Sequence, residues 1–114
     1  MAKSTLHIEF KGLLSFLILH ELNAEPLFGD QLAERIGARR GEKLTPGTIY
    51  PALKKLRKYK LVAFKRDGRK KIYALTPGGK AELKRLYAVF GRYFGGLGNR
   101  IPLVRLAAKR RRNK

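Results

Sequence analysis

Residues 44–56, LTPGTIYPALKKL, constrain the chain more than any other stretch. Thr45 has the side chain of an N-cap: its hydroxyl can accept the backbone N–H of Gly47 or Thr48, groups that a helix start leaves without partners. Pro46 follows at the first helical position, where a missing N–H costs nothing. Ile49, Leu53 and Leu56 then recur with helical spacing and form one apolar stripe. At about 100° per residue, the opposite face carries Gly47, Thr48, Pro51, Lys54, Lys55 and Lys58, flanked by Tyr50 and Arg57. A buried stripe backed by hydroxyl, phenol and ammonium groups is what a helix needs to lie in the major groove of a duplex.

Charge supports that reading. The 114 residues hold 27 Lys and Arg against 8 Asp and Glu, a formal net charge of +19, which points to a polyanionic partner. Its placement is uneven: residues 1–30 carry −2, residues 31–60 carry +7, residues 61–80 carry +5 and the remainder +9. The basic surface therefore centres on the helix at 46–59 and the residues C-terminal to it, and excludes the first helix.

The order of elements can be read along the chain. Leu6–Leu22 is expected to be helical, with Leu6, Phe10, Leu13, Leu14, Leu17, Ile18 and Leu22 on an apolar arc wide enough to be covered from two sides. Asn23–Gly29, with Pro26 and Gly29, reads as a turn. Asp30 is placed to cap a second helix to about Ala38, with Leu32, Ala33 and Ile36 inward. Gly37 and Gly41 mark a loop before the third helix. Leu61–Arg66 and Lys70–Leu75 read as strands, joined by the hairpin signal Asp67-Gly68. Lys65, Arg66, Arg69, Lys70 and Lys71 surround that turn. Cations also protect strand edges, but five with one acid suit a wing against phosphates or the minor groove. Thr76-Pro77 repeats the cap-and-proline device and opens a fourth helix carrying Leu83, Leu86, Tyr87, Phe90, Tyr93, Phe94 and Leu97. Glycines predict a break between Gly95 and Asn99. Ile101–Lys109 can restart as a short helix, and Lys109–Lys114 is expected to be a disordered basic tail.

The expected fold is α+β and mostly helical, a winged helix-turn-helix with an N-terminal helix and a C-terminal dimerisation helix. Residues 1–76 would form the DNA-binding domain, 77–108 the dimerisation segment and 109–114 the tail. The aromatic stripe of the fourth helix and the wide arc of the first exceed what one small core can cover, so a homodimer is expected.

Several classes are set aside. The chain has no cysteine, which excludes disulfides, thiol catalysis and cysteine metal sites and fits a reducing cytosol. His7 and His20 lie on one helix without clustered carboxylates, so neither a metal nor any other cofactor is expected. Glu9, Glu21 and Glu25 are scattered, and no phosphate loop or nucleophile elbow is present, so no enzyme is expected. The apolar run Leu13–Leu19 falls well short of the about 18 residues of a membrane span, and the N-terminus does not read as a signal peptide. A membrane partner is not expected.

Three ordered motifs give the chain a resemblance to a known family. The run Pro46-Gly47-Thr48-Ile49-Tyr50-Pro51, continued by Leu53 and Leu56, resembles the recognition helix of the PadR family of transcription regulators. Arg69-Lys70-Lys71-Ile72-Tyr73 looks like that family's basic wing, and Leu75-Thr76-Pro77-Gly78-Gly79 like its entry into the next helix. The similarity spans roughly Leu13 to Leu83. Two departures are visible: Gly29-Asp30 stands where the family usually has Gly-Tyr, and the C-terminal helical region is short.

The resemblance implies a dimeric regulator, a repressor by analogy, on an inverted-repeat operator in double-stranded DNA, in the cytoplasm and associated with the nucleoid. Its expected contacts are Thr45, Gly47, Thr48, Tyr50, Pro51, Lys54, Lys55 and Lys58 from the helix, and Lys65, Arg66, Arg69, Lys70 and Lys71 from the wing. Relatives commonly hold small aromatic compounds against a Trp at the dimer interface; this chain has no Trp, which leaves any small-molecule effector unidentified. The rival readings are a winged-helix RNA-binding protein of ribosomal type and an architectural DNA coat, both resting on the charge and the basic tail.

Overall fold

The structure is a computed structural model that describes residues 2–39 and 41–95. It contains helix α1 (Ala2–Ala24), strand β1 (Leu27–Phe28), helices α2 (Gly29–Ala38) and α3 (Pro46–Lys58), strands β2 (Val62–Asp67) and β3 (Lys70–Leu75), and helix α4 (Pro77–Gly95). One compact unit ends at Leu83 and a second begins at Lys84, within α4. The expected break after Gly95, the restarted helix at 101–109, Leu97 and the tail lie outside the described residues.

The first unit is a helix-turn-helix with α1 behind it and a small antiparallel sheet beside it. Its largest fully buried side chains come from all four helices, β1 and the turn before α3: Ile18 and Leu19 of α1, Leu27 of β1, Leu32 and Ile36 of α2, Leu44 before α3, Ile49 and Leu53 of α3, and Leu83 of α4. The stripe read from the sequence of α3 is thus the stripe that is buried, and α1 packs on α2, α3 and β3. On α1 the inward residues are Leu14, Ile18, Leu19 and Leu22, whereas Leu13 is 45% exposed. The arc therefore turns toward Leu19 and leaves Leu13 outward; the side chains of Leu6 and Phe10 fall outside the description.

Three local expectations are corrected. The segment 23–29 is not only a turn: Leu27 and Phe28 form a strand that pairs with Tyr73 and Ile72, giving a sheet of order β1-β3-β2. Asp30 is not the cap of α2. Phe28 holds that position, and the Gln31 side chain accepts the Phe28 N–H at 2.9 Å, while Asp30 sits in the first turn. The hairpin turns one residue later than the Asp-Gly signal suggests. Asp67 pairs with Lys70, and the central residues are Gly68 and Arg69. Gly68 has φ +65°, the glycine-first arrangement of a two-residue hairpin.

The end of α3 is a Schellman cap with an unusual occupant. Leu61 N–H bonds to Leu56 O at 3.0 Å and Lys60 N–H to Arg57 O at 2.9 Å, and Lys60 has φ +62°. That position normally takes glycine, because a Cβ is crowded in left-handed backbone. Lys60→Gly should therefore raise unfolding free energy by about 1 kcal/mol, since the relief of αL strain exceeds glycine's added chain entropy. A urea midpoint shifted downward would show that the Lys60 side chain contributes more than its backbone costs. The cap is tied to α4: Thr76 Oγ1 donates to Lys60 O at 2.6 Å and accepts Gly79 N–H at 2.9 Å, the capping role expected of Thr76. Gly79 is buried with the Leu61 carbonyl against its Cα, where no side chain fits.

Candidate nucleic-acid interface

The turn between α2 and α3 sets the angle at which α3 leaves the core. Leu44 N–H bonds to Ala33 O at 3.1 Å and Glu42 N–H to Gly37 O at 3.0 Å, so residues 42–44 fold back on α2. Gly37 makes this possible, because a Cβ there would collide with the Glu42 carbonyl and Lys43 Cα. With Ile49, Leu53 and Leu56 inward, α3 presents Thr45, Gly47, Pro51, Lys54, Lys55 and Lys58 to solvent, with Thr48 half-buried. The helix runs unbroken through Pro51, whose missing N–H falls in its second turn. Pro51, Lys54, Lys55, Arg57, Lys58 and Tyr59 border a shallow open depression of about 560 Å³ on this face.

At the N-terminus of α3 the hydroxyls are arranged differently from expectation. Thr45 holds the N-cap position but makes no side-chain bond to the helix backbone. Its Oγ1 lies 3.0 Å from Thr48 Oγ1. One hydroxyl donates to the other, and the second keeps its proton for an outside acceptor. Gly47 is free of packing demands: a Cβ there would meet only Thr45 Oγ1 at 3.9 Å, and its backbone is not left-handed.

Tyr50 is held more firmly than a groove-reading side chain on an open surface. Its ring covers Gly29 at the start of α2, yet it remains 41% exposed. Its phenol is pushed above the usual tyrosine range by burial first, then by the nearby Asp30 carboxylate. Asp30, Lys43, Thr45 and Tyr50 border a second cavity of about 290 Å³ between α2 and α3. The Asp30–Tyr50 contact is not legible in sequence spacing, since twenty residues separate the partners.

The wing does not present its five cations as one cluster. The register places Val62, Phe64 and Arg66 on one face with Leu75, Tyr73 and Lys71, and Lys65 and Asp67 on the other with Ile72 and Lys70. On the first face, Arg57 of α3 and Lys71 of β3 each stand 4.6 Å from the centre of the Phe64 ring, which tilts against Tyr73 at 5.7 Å. That cluster fastens the last turn of α3 to the wing. Burial pushes the Tyr73 phenol up, the Arg57 charge opposes this, and Tyr50 adds to it. On the second face, Lys70 stands 5.6 Å from the Phe28 ring. Arg69 is at the tip. Arg57, outside the expected contact set, is thus a central residue of the surface; its place beside the basic face of α3 is the only sequence signal for it.

The ion pairs sit elsewhere. Arg35 pairs with Glu25 at 3.1 Å, Arg39 with Glu21 at 2.7 Å and Lys43 with Glu34 at 3.7 Å, all around α2. Among the described residues, Lys54, Lys55, Lys58, Lys65, Arg66 and Arg69 have no carboxylate within ion-pair distance. No group of three or more metal-ligating side chains is assembled among the described residues, and none of the described helices is long and apolar enough to cross a membrane.

The comparisons with known proteins agree with this architecture. A PadR-like transcription factor from Bacteroides fragilis superposes with a TM-score of 0.70 at 24% identity, covering 88% of this chain and 98% of its own. A PadR-like transcriptional regulator from Bacillus cereus gives a TM-score of 0.70 at 26% identity, covering 78% and 91%. A PadR family regulator from Eggerthella lenta gives 0.66 at 27%, covering 86% and 90%. No curated protein matches the sequence at a significant level. The profile of the PadR-like transcriptional regulator family matches residues 18–85, from the middle of α1 through the whole helix-turn-helix and wing into α4. With three solved relatives sharing that architecture over most of their own length, the chain belongs to the PadR-like family of transcriptional regulators: it is a DNA-binding regulator and not an enzyme.

Proposed function

We propose that the protein is a dimeric repressor that occupies an inverted-repeat operator, with α3 of each copy in a major groove and the wing against the adjacent backbone. The observation that carries this reading is the outward face of α3. It combines hydroxyls, unpaired cations and a glycine that neither packing nor backbone conformation requires. Close approach of the helix to a duplex does require it. Thr48, with Thr45, offers a proton to base edges. Gly47 and Pro51 shape the first turns for that approach. Lys54, Lys55, Lys58, Lys65, Arg66 and Arg69 meet phosphates, and Lys70 and Lys71 reach them from their aromatic supports. Residues 1–76 serve as the DNA-binding part, 77–108 as the dimerisation segment and 109–114 as an electrostatic arm. The exposure of Leu13, Tyr87 and Tyr93 supports a second copy as the partner of α1 and α4. A small-molecule effector at that interface and a place in the cytoplasm beside the nucleoid complete the reading.

Selection of genomic fragments by purified protein tests it. The expected product is a shared inverted repeat with half-site centres about one helical turn, 10–10.5 base pairs, or a multiple apart. A single unpaired half-site would remove the dimer. Absence of any consensus, or preference for RNA, would replace the regulator by an architectural or RNA-binding protein. Within the operator, Thr48→Ala should cost about 1–3 kcal/mol of discrimination against scrambled duplex while Lys54→Ala weakens binding to both alike, because base-edge contacts specify and phosphate contacts position. Equal losses from the two variants in anisotropy titrations would contradict that division.

A further inference from the structure

Phe64 of β2 is shared by two cations that come from different elements. The Arg57 guanidinium carbon, from the last turn of α3, and the Lys71 ammonium, from β3, each stand 4.6 Å from the centre of its ring. Their separation therefore cannot exceed twice that distance. All three residues are rooted in fixed backbone. The Arg57 carbonyl accepts the Lys60 N–H of the helix cap at 2.9 Å, and Phe64 and Lys71 belong to the β2–β3 ladder, on one face with the buried Tyr73. Tyr73 packs against the ring in turn, with the two centres 5.7 Å apart.

The two charges are attracted to the ring and repel each other. An aromatic face compensates a cation only in part, and like charges this close cost free energy until an anion joins them. No carboxylate does so: among the described residues, neither Arg57 nor Lys71 has one within ion-pair distance. Asp67, the one acid of the hairpin strands, lies on the opposite face of the sheet. Arg57 is exposed and Lys71 half-buried, so both are open to an anion from solvent. Arg57 also borders the depression on α3 with Lys54 and Lys58, which joins the pair to the face proposed to meet DNA. A guanidinium has five N–H donors and an ammonium three. Contact with the ring face leaves each of them donors for an oxyanion.

Resting on the operator reading above, we propose that Arg57 and Lys71 grip the same backbone phosphate in each half-site, with Phe64 as the positioning residue that holds them together. The recognition helix and the wing then meet the duplex as one unit, because a single phosphate is bound from both. Separate phosphates would make the losses of the two cations add. A shared phosphate makes them overlap, since either loss opens the same clamp.

The test uses the full chain and the selected operator, with single phosphates replaced by neutral methylphosphonate. Several positions should weaken wild-type binding. At one of them in each half-site the loss, about three- to tenfold, should disappear in Arg57→Gln and in Lys71→Gln alike. On the native operator the double variant should be little weaker than either single variant, and its log–log salt slope should be shallower by about 0.9 per half-site, the value of one phosphate. Pentafluorophenylalanine at Phe64 keeps the shape of the ring but withdraws negative charge from its face. It should abolish the loss at the same position, and Phe64→Leu, measured below its melting midpoint, should do likewise. Phe64→Tyr keeps the face and should retain the wild-type profile. A ring that acts only in packing would leave that profile unchanged on fluorination, which would overturn the positioning role. Sensitivity lost at different phosphates in the two Gln variants, or losses that add, would overturn the shared clamp and leave the operator reading intact. Finding no sequence preference in the wild type would overturn both.

Discussion

Raising salt from 50 to 200 mM should weaken operator binding by about 10³–10⁵-fold. Each phosphate neutralised by Lys or Arg releases condensed counterion, so the logarithm of affinity falls with the logarithm of salt by about 0.9 per contact. Lys54, Lys55, Lys58, Lys65, Arg66 and Arg69 have no acidic partner among the described residues, and the proposed dimer would present them twice. Arg57, Lys70 and Lys71 lie over aromatic rings and contribute less per residue, because moving to a phosphate gives up part of a cation–π contact. About six to ten contacts then remain, for a log–log slope between about −5 and −9. Anisotropy titrations across that salt range measure it directly. A slope shallower than about −2 would mean that the basic surface lies away from the duplex, and the +19 charge would need another partner.

The same residues show which parts of the molecule are legible in the sequence. The stripe Ile49, Leu53 and Leu56 is a helical pattern over three turns, long enough for periodicity to decide, and the structure buries these three residues of α3. The Thr76-Pro77 start of α4 and the strand Lys70–Leu75 are equally plain, because cap chemistry and alternation are local. Strand β1 is not, since two residues between a proline and a glycine carry no period; only pairing with Ile72 and Tyr73 makes Leu27–Phe28 a strand. The cap of α2 escapes sequence reading for a related reason. Asp30 is a good cap by type, but the register of β1 carries extended backbone to Phe28 and starts the helix one residue before Asp30.

The candidate surface divides in the same way. Lys54, Lys55 and Lys58 follow from helical spacing. The faces of the wing cations depend on strand register, and the ring clamp of Arg57, Phe64 and Lys71 depends on how α3 crosses the sheet. Spacing alone makes Tyr50 a free groove residue, because nothing within a helical turn of it hints at Gly29 or Asp30, which approach only when the helix-turn-helix closes.

Leu53→Ala should lower the unfolding free energy by about 2–5 kcal/mol and the melting temperature by about 10–30 °C. Leu53 is 0% exposed on α3, between the fully buried Ile49 and the buried Leu56. Truncation removes transfer free energy and leaves a cavity that the rigid surroundings of α1 and α2 fill only in part. A domain of this size has on the order of 4–12 kcal/mol to lose, so the variant sits near the edge of folding. DNA binding should then follow the folded fraction. Well below the new midpoint the outward face of α3 is intact and affinity returns to near that of the native protein. Lys54→Ala gives the opposite pattern, with weaker binding at every temperature and an unchanged melting curve. Differential scanning calorimetry and titrations at two temperatures separate the cases. If Leu53→Ala melted like the native protein yet bound DNA poorly, the buried and outward faces of α3 would be interchanged, and the helix would enter the groove by a face other than the one bearing Thr48 and Lys54.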